Sequence, residues 1–381
     1  MTLLIDSVEA CVDHLLDTVV GDIVLGIPLG VGKPNPLVNA LYRRIKGNPA
    51  RKLRIVTALS LERPVGHSAL ETNFLEPLVE RVFEDYPDLD YVKDSRAGKL
   101  PPNIEVREFF MKTGDYLGNE TAQMHYISTN YTFVARDMVV QGMNVIAQAV
   151  ASKEDSAGLR LSLSSNPDVT HEVVDILRST GKQVIAVGVI NHKMPFMPNG
   201  AEVSPELFDV VVTDPAGTHA VFAPPNGKVT AADYAIGLHA SSLVVDGGTL
   251  QIGIGSLGDA IGQALIVRER HNAEYKRILE NLCVDGLAGR DTGRFAQGLY
   301  GCSEMFVNAF LKLIEAGIVR REVYDDAVLQ QLVNEGQAEG HAVTPALLQG
   351  LVDAGRLSSP LSASDVAFLK RFGILRPEVS L

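Results

Sequence analysis

A chain of 381 residues, 46% hydrophobic and 21% charged, has room for two cores and argues against intrinsic disorder. Its formal charge of −12 argues against indiscriminate nucleic-acid binding, which needs a net basic surface to neutralise phosphates. The string Arg43, Arg44, Lys46, Arg51, Lys52 and Arg54 reads either as a local anion pocket or, more simply, as a solvated charged face. The three cysteines, Cys11, Cys283 and Cys302, are too few and too far apart for a disulfide framework or a zinc site, which fits a reducing compartment. The N-terminus meets Asp6 and Glu9 early, with no basic segment leading an apolar run, and no stretch reaches the ~20 apolar residues of a spanning helix. These features predict a soluble cytoplasmic protein with no membrane partner and no metal.

Along the chain, short β-branched runs alternate with stretches of helical period. Asp22 to Gly26, Leu53 to Thr57, Asn144 to Ala147, Leu161 to Ser164 and Gln183 to Val187 read as buried strands. Val38 to Ile45 and His171 to Ser179 read as helices, the second capped by Asp168 or Thr170 with Glu172 in its first turn. Strand followed by helix, repeated, predicts an α/β fold with a mostly parallel sheet covered on both faces. Turn formers at 222–227 suggest a boundary between an N-terminal domain, 1–225, and a C-terminal domain, 226–381. Beyond it come a helix over Ala231 to Val244, a turn at Asp246-Gly-Gly248, and a strand over Thr249 to Ile252. Another helical stretch, Lys276 to Leu282, leads into the apolar run Leu282 to Val284. From about 320 the chain reads as a helical tail, with helices over Val343 to Ala354 and Leu361 to Phe372, and no repeat of fixed short period is evident.

Two strings carry most of the chemical information. In Leu250-Gln-Ile-Gly253-Ile-Gly255-Ser256-Leu-Gly258-Asp-Ala, a strand runs through clustered glycines into a helical segment, Ala260 to Arg268. Glycines admit a ligand close to the backbone, and the helix start offers unpaired N–H groups to an anion or a developing oxyanion. The same string matches G-x-G-x-x-G, with Asp285 as a conceivable ribose partner, so a nicotinamide-dependent oxidoreductase is one alternative and a ligand-free turn another. In Gly298-Leu-Tyr-Gly301-Cys-Ser303-Glu304-Met-Phe306, a loop feeds an amphipathic helix with Glu304 at its start, where a carboxylate also simply complements the dipole. Cys302 is a rival nucleophile without a visible activating histidine, which favours a small packed cysteine. A third glycine-rich loop, Gly26 to Asn35, follows the first of these strands; its Lys33 could meet a phosphate, but the G-K-[ST] ending of a P-loop is absent. His192, after the strand that ends near Ile190, reads as a surface residue before it reads as an acid or base.

Together the segments Gly26 to Leu41 (GIPLGVGKPNPLVNAL), Asn191 to Pro198 (NHKMPFMP), Ala235 to Ile261 (AIGLHASSLVVDGGTLQIGIGSLGDAI) and Gly298 to Phe306 (GLYGCSEMF) resemble the acetyl-CoA hydrolase/transferase family, relatives of the class I CoA-transferases. They run in the family's order from about residue 20 to about 316, and GGTLQIGIG and SEMF are the specific strings. The resemblance implies two open α/β domains of the kind shared by CoA-transferases and sugar-phosphate isomerases. It implies a catalytic glutamate at Glu304, CoA or oxyanion contacts from Gly253, Gly255, Ser256 and Gly258, and substrate contacts from Gly30, Gly32, Asn191, Met194 and Pro195. Coenzyme A would be a substrate, with no permanently bound cofactor; the partners would be an acyl-CoA and a small carboxylic acid.

Family members continue well past the glutamate, whereas here about 77 residues follow it. The second domain is therefore expected to be partial, with a second subunit or a homo-oligomer supplying or covering the missing half-domain. A non-catalytic or partial subunit of a split CoA-transferase is the alternative to a self-sufficient enzyme.

Overall fold

A strand buried on both faces must carry apolar side chains in both directions, and Val145 to Val150 do so. Val145 and Ala147 join one core, Ile146 and Val150 the other, and none is more than 1% exposed. The computed structural model describes residues 2–379 except 157, 166, 224–226, 284–285, 304 and 337–342. It divides into two compact units, the first Met1–Pro225 together with Glu304–Phe306, the second Asn226–Ser303 and Val307–Leu381.

In chain order the first unit holds β1 (Leu3–Ile5), α1 (Val8–Thr18), β2 (Ile23–Gly26), α2 (Asn35–Lys46), β3 (Leu53–Thr57), α3 (Ala69–Phe83), α4 (Asp90–Arg96) and β4 (Ile104–Glu108). It continues with α5 (Glu120–Met124), α6 (Val134–Val140), β5 (Val145–Asp155), β6 (Gly158–Ser162), α7 (Thr170–Ser179), β7 (Ile185–Ile190), β8 (Glu202–Val203) and β9 (Val210–Val212). Seven strands form a parallel run in the order β1-β9-β7-β5-β2-β3-β4, and β6 and β8 extend it antiparallel beyond β5. Helices α1, α2 and α4 pack one face, α6 and α7 the other. The chain leaves β2 toward β3 and β4, then returns to β5 on the other side, so the order reverses between β2 and β5. Such a switch point opens a crevice at the carboxyl ends of the strands, where open α/β sheets hold ligands.

The second unit contains α8 (Ala231–Ser241), β10 (Thr249–Gln251), α9 (Ser256–Arg270), α10 (Asn272–Leu282), β11 (Tyr300–Cys302), α11 (Asn308–Glu315), α12 (Ala327–Asn334), α13 (Pro345–Asp353) and α14 (Ala363–Arg371). Strands β10 and β11 pair in parallel, with Leu250 opposite Gly301 and Gln251 opposite Cys302. Leu250, Ile252, Leu265, Leu299, Phe310 and Leu313 make its central core, and α12 to α14 a separate one.

Several expectations change. The sheet covered on both faces is present, but β5 runs eleven residues, because its far half pairs with β6 outside the parallel ladder. Helix α7 has no side-chain cap; Asp168, in the left-handed region at φ 49°, turns its carboxylate elsewhere. Tyr300–Cys302 is a strand and not part of a loop, and the helix expected to start at Glu304 begins at Asn308. Gly301 there is a packing residue: a Cβ would lie 2.4 Å from the Phe310 ring. Glu304, Val284 and Asp285, and the centre of the expected boundary, lie outside the described residues. Cys302 is exposed rather than packed. The tail does carry a repeat: Gly317, Gly336, Gly355 and Gly373 follow α11 to α14 at spacings of 19, 19 and 18 residues, each with φ near 70°. The repeat lies in helix ends rather than in side-chain identity. The basic string is an ion-paired face, with Arg44 on Glu9 and Asp13, Arg43 on Asp90, Lys46 on Asp94 and Arg54 on Glu105. Among the described residues no helix is long and apolar enough to cross a membrane, and no cluster of His, Cys, Asp or Glu could hold a metal ion.

Candidate functional site

In the second unit, β10 ends at Gln251 and the chain turns through Ile252, Gly253 and Ile254 to Gly255, which starts α9. Gly255 sits at φ 128°, open to glycine and strained for any other residue. Gly258 allows a different economy of space: a Cβ there would lie 2.5 Å from the Gly253 carbonyl oxygen, so the first helical turn folds directly against the turn that precedes it. The first α-helical hydrogen bond runs from Asp259 N–H to Gly255 O at 3.1 Å, which leaves the N–H groups of Ser256, Leu257 and Gly258 without intrahelical acceptors. Gly253, Gly255, Ser256 and Gly258, expected as one site, therefore do share one turn.

The pairing of β10 with β11 brings a second segment to this turn. Because the strands are parallel, both end on the same side, and the Ser303 hydroxyl donates to the Ile252 carbonyl at 3.0 Å. Ser303 is the chain neighbour of Glu304.

A polar framework fixes the other end of the pair. The Asp246 carboxylate accepts N–H bonds from Ala296 at 2.9 Å, Gln297 at 3.0 Å, Gly298 at 2.9 Å and Gly247 at 3.1 Å. Burial pushes this carboxyl up, but the four N–H groups outweigh burial and hold it below the usual carboxylate range. Asp246 N–H in turn donates to Asp291 at 3.0 Å, and Asp291 pairs with Arg268 at 2.8 Å. A depressed folded-state pKa contributes stability above the unfolded value of ~3.9 and loses it as pH falls through the folded value. Asp246→Asn is accordingly expected to cost about 1.5–3 kcal/mol at pH 7, the range for hydrogen bonds to a charged group. In urea titrations the variant and the parent should converge as pH drops below about 3.9; a gap independent of pH would count against this role.

In the first unit, the loops after β2, β3, β4, β6 and β7 meet at the carboxyl rim of the sheet. Gly30 and Gly32 lie on the first, and Gly32 O accepts from Ala149 N–H of β5 at 2.8 Å, across the switch point. Asp168 takes the Leu29 N–H and the Tyr131 hydroxyl. Lys33, 3% exposed, does not reach outward to a phosphate: its ammonium donates inward to the carbonyls of Leu29, Ala58 (2.8 Å) and Leu59 (3.2 Å). Desolvation lowers its pKa to about 8, partly offset by Glu108 and Asp168. Glu108, 2% exposed, receives the Ser60 hydroxyl, which also meets the Tyr91 hydroxyl at 2.8 Å. Burial pushes the Glu108 carboxyl up.

Asn191 and Met194 follow β7 as expected, but both are buried. The Asn191 amide donates to His219 O at 3.0 Å and accepts from Lys193 N–H at 3.0 Å, so its side chain is engaged in shaping the loop. Pro195 is exposed, and its carbonyl accepts from the Ser164 hydroxyl at 2.8 Å. His192 is exposed. Phe306 joins this rim, its N–H donating to Ser165 O at 3.3 Å. Sequence reasoning noticed Lys33 but missed Glu108, Ser60, Tyr91 and Tyr131. The only signal was a glutamate closing an otherwise alternating strand, which by itself is unremarkable.

The sequence matches no family model and no curated protein. Among solved structures, RipA from Yersinia pestis aligns with a TM-score of 0.53 at 17% identity, over 83% of this chain and 59% of that one. The chain is similar in fold to RipA. A 4-hydroxybutyrate CoA-transferase from Porphyromonas gingivalis aligns with a TM-score of 0.43 at 17% identity, over 83% of this chain and 58% of that one. The chain thus spans under three fifths of the length of these solved structures.

Proposed function

We propose that this chain acts on acyl-CoA thioesters as a CoA-transferase or acetyl-CoA hydrolase, with Glu304 as nucleophile. The observation that carries the reading is the parallel β10–β11 pair, whose common end joins Ser303 to the glycine turn by the 3.0 Å bond to Ile252 O. The GGTLQIGIG and SEMF strings and the RipA-like fold support it.

An ionised carboxylate attacks the thioester carbonyl, breaks the carbon–sulfur bond and yields a mixed acyl anhydride and the CoA thiolate. The thiolate then attacks the glutamyl carbonyl and releases the acyl group as a free carboxylate, leaving a glutamyl-CoA thioester. In a transferase a second carboxylate attacks the glutamyl-CoA carbonyl, and the CoA passes through a second anhydride to that acid; in a hydrolase water attacks the glutamyl-CoA carbonyl and releases CoA. Either way Glu304 returns to the carboxylate. Negative charge develops on the carbonyl oxygen at each attack. The N–H groups of Ser256, Leu257 and Gly258, which have no intrahelical acceptor, are the donors suited to it, each such donor being worth roughly 2.7–4 kcal/mol of barrier. The reading includes a second polypeptide or a second copy beside the β10–β11 pair, since an isolated two-stranded sheet is marginal in water and its edges invite pairing.

The test is to incubate the chain with acetyl-CoA, reduce with borohydride and map the peptides. Reduction of the thioester should leave Glu304 as the alcohol; turnover with an unmodified Glu304 would overturn the mechanism.

A further inference from the structure

The proposed chemistry uses none of the three ionisable groups gathered beneath the rim of the first unit, Lys33, Glu108 and Asp168. Their arrangement is specific. Lys33 closes the loop that follows β2, yet its ammonium reaches back to Leu29 at the start of that loop and across to Ala58 and Leu59 after the neighbouring strand β3. Leu59, one of its acceptors, is held at φ 49°, a conformation that costs a leucine energy and persists only where its surroundings enforce it. From the other side Asp168, itself at φ 49°, grips the Leu29 N–H, and β5 holds Gly32 through Ala149. The backbone of Gly30 to Gly32 is thereby fixed at both ends and bridged to both neighbouring strands, at the point where the strand order reverses.

We propose that Lys33 is a positioning residue that braces the Gly30–Gly32 turn in the conformation that receives the substrate, without touching the ligand itself. This rests on the functional reading above together with the substrate contacts that the family resemblance implies for Gly30 and Gly32. At 3% exposure, with its protons directed at the carbonyls of Leu29, Ala58 and Leu59 and, at 3.5 Å, of Gly30, the ammonium has no path to a ligand. Buried ionic groups seldom add net stability over packed apolar ones; what they supply is fixed direction. Glu108, one of whose carboxylate oxygens is buried without a hydrogen-bond partner, and Asp168 offset the ammonium's charge.

The test uses the full chain and the double variant Lys33→Met/Glu108→Gln, which removes both charges together so that neither is stranded. Three measurements are made: thermal unfolding by circular dichroism, hydrogen exchange of the peptide covering 27–33, and steady-state kinetics with acetyl-CoA. The double variant should remain folded, exchange at Gly30 to Gly32 at least tenfold faster, and show a KM raised at least tenfold with kcat within threefold. Unchanged exchange overturns the brace. Faster exchange with unchanged KM overturns its link to the substrate, and a fall in kcat at constant KM overturns positioning in favour of a direct effect on the reaction. If the double variant does not fold, Lys33→Met alone takes its place under the same criteria. Should the parent chain neither turn over nor bind acetyl-CoA, the functional reading fails by itself, and the link to the substrate falls with it, whereas faster exchange in the variant would still establish the brace.

Discussion

Glu304→Gln is expected to lower acyl-CoA turnover by at least ~10³-fold, about 4 kcal/mol of barrier, while CoA binding measured by calorimetry stays within threefold. The substitution keeps the side chain's length and shape but removes the lone nucleophilic charge, and a neutral amide cannot form the anhydride. Glu304→Asp separates chemistry from placement: the carboxylate survives but withdraws by one methylene, and misplacement of about 1 Å costs on the order of 10²-fold. The ordered series Glu, Asp, Gln is what a covalent mechanism demands. Glu304→Gln retaining turnover within tenfold of the parent would remove Glu304 from the mechanism.

The second large effect concerns Arg268, whose side chain is fully buried in the second unit. Its guanidinium donates to Gly293 O at 2.6 Å, Val244 O at 2.5 Å and Ser241 O at 3.1 Å, pairs with Asp291, and lies 4.3 Å from the centre of the Phe295 ring. One side chain thus ties the end of α8 to the segment that leads into β11. Arg268→Met leaves three carbonyls without their donor and Asp291 with only the N–H groups of Asp246 and Gly293, and the loss is expected to reach at most the ~3–5 kcal/mol of a buried pair broken from one side. The chain has no tryptophan, so circular dichroism is the readout in urea titrations. Arg268→Met/Asp291→Asn should recover part of the loss by removing the negative charge that the guanidinium had balanced. A single variant within about 1 kcal/mol of the parent would show that the network is not what holds this unit.

Glu304 tests whether the segment after β11 carries chemistry. Arg268 and Asp246 test whether the framework at the opposite end of the β10–β11 pair holds its common end, and with it Ser303 and the glycine turn, in place.

Residue order alone was enough for the alternation of strand and helix in the first unit, since side chains buried on both faces of a parallel strand leave an uninterrupted apolar run. It was also enough for the grouping of Gly253, Gly255, Ser256 and Gly258, because those residues are contiguous and their geometry is local. β11 was hidden, because Gly301 reads as a turn former until the Phe310 ring that excludes a Cβ is seen beside it. The cap expected at Asp168 failed for a related reason. A carboxylate near a helix start has a local partner available, but here Leu29 N–H and the Tyr131 hydroxyl, both distant in sequence, outcompete it.

Neighbouring residues suffice for the α/β class and for the glycine turn. Distant segments must come together before Lys33 can turn inward, Glu108 can sit close enough to offset its charge, and Ser303 can meet Ile252. The physical reason is that burial of a charge and the choice of its partner depend on which strands lie side by side, and strand order is set by long-range packing that no short window of sequence contains.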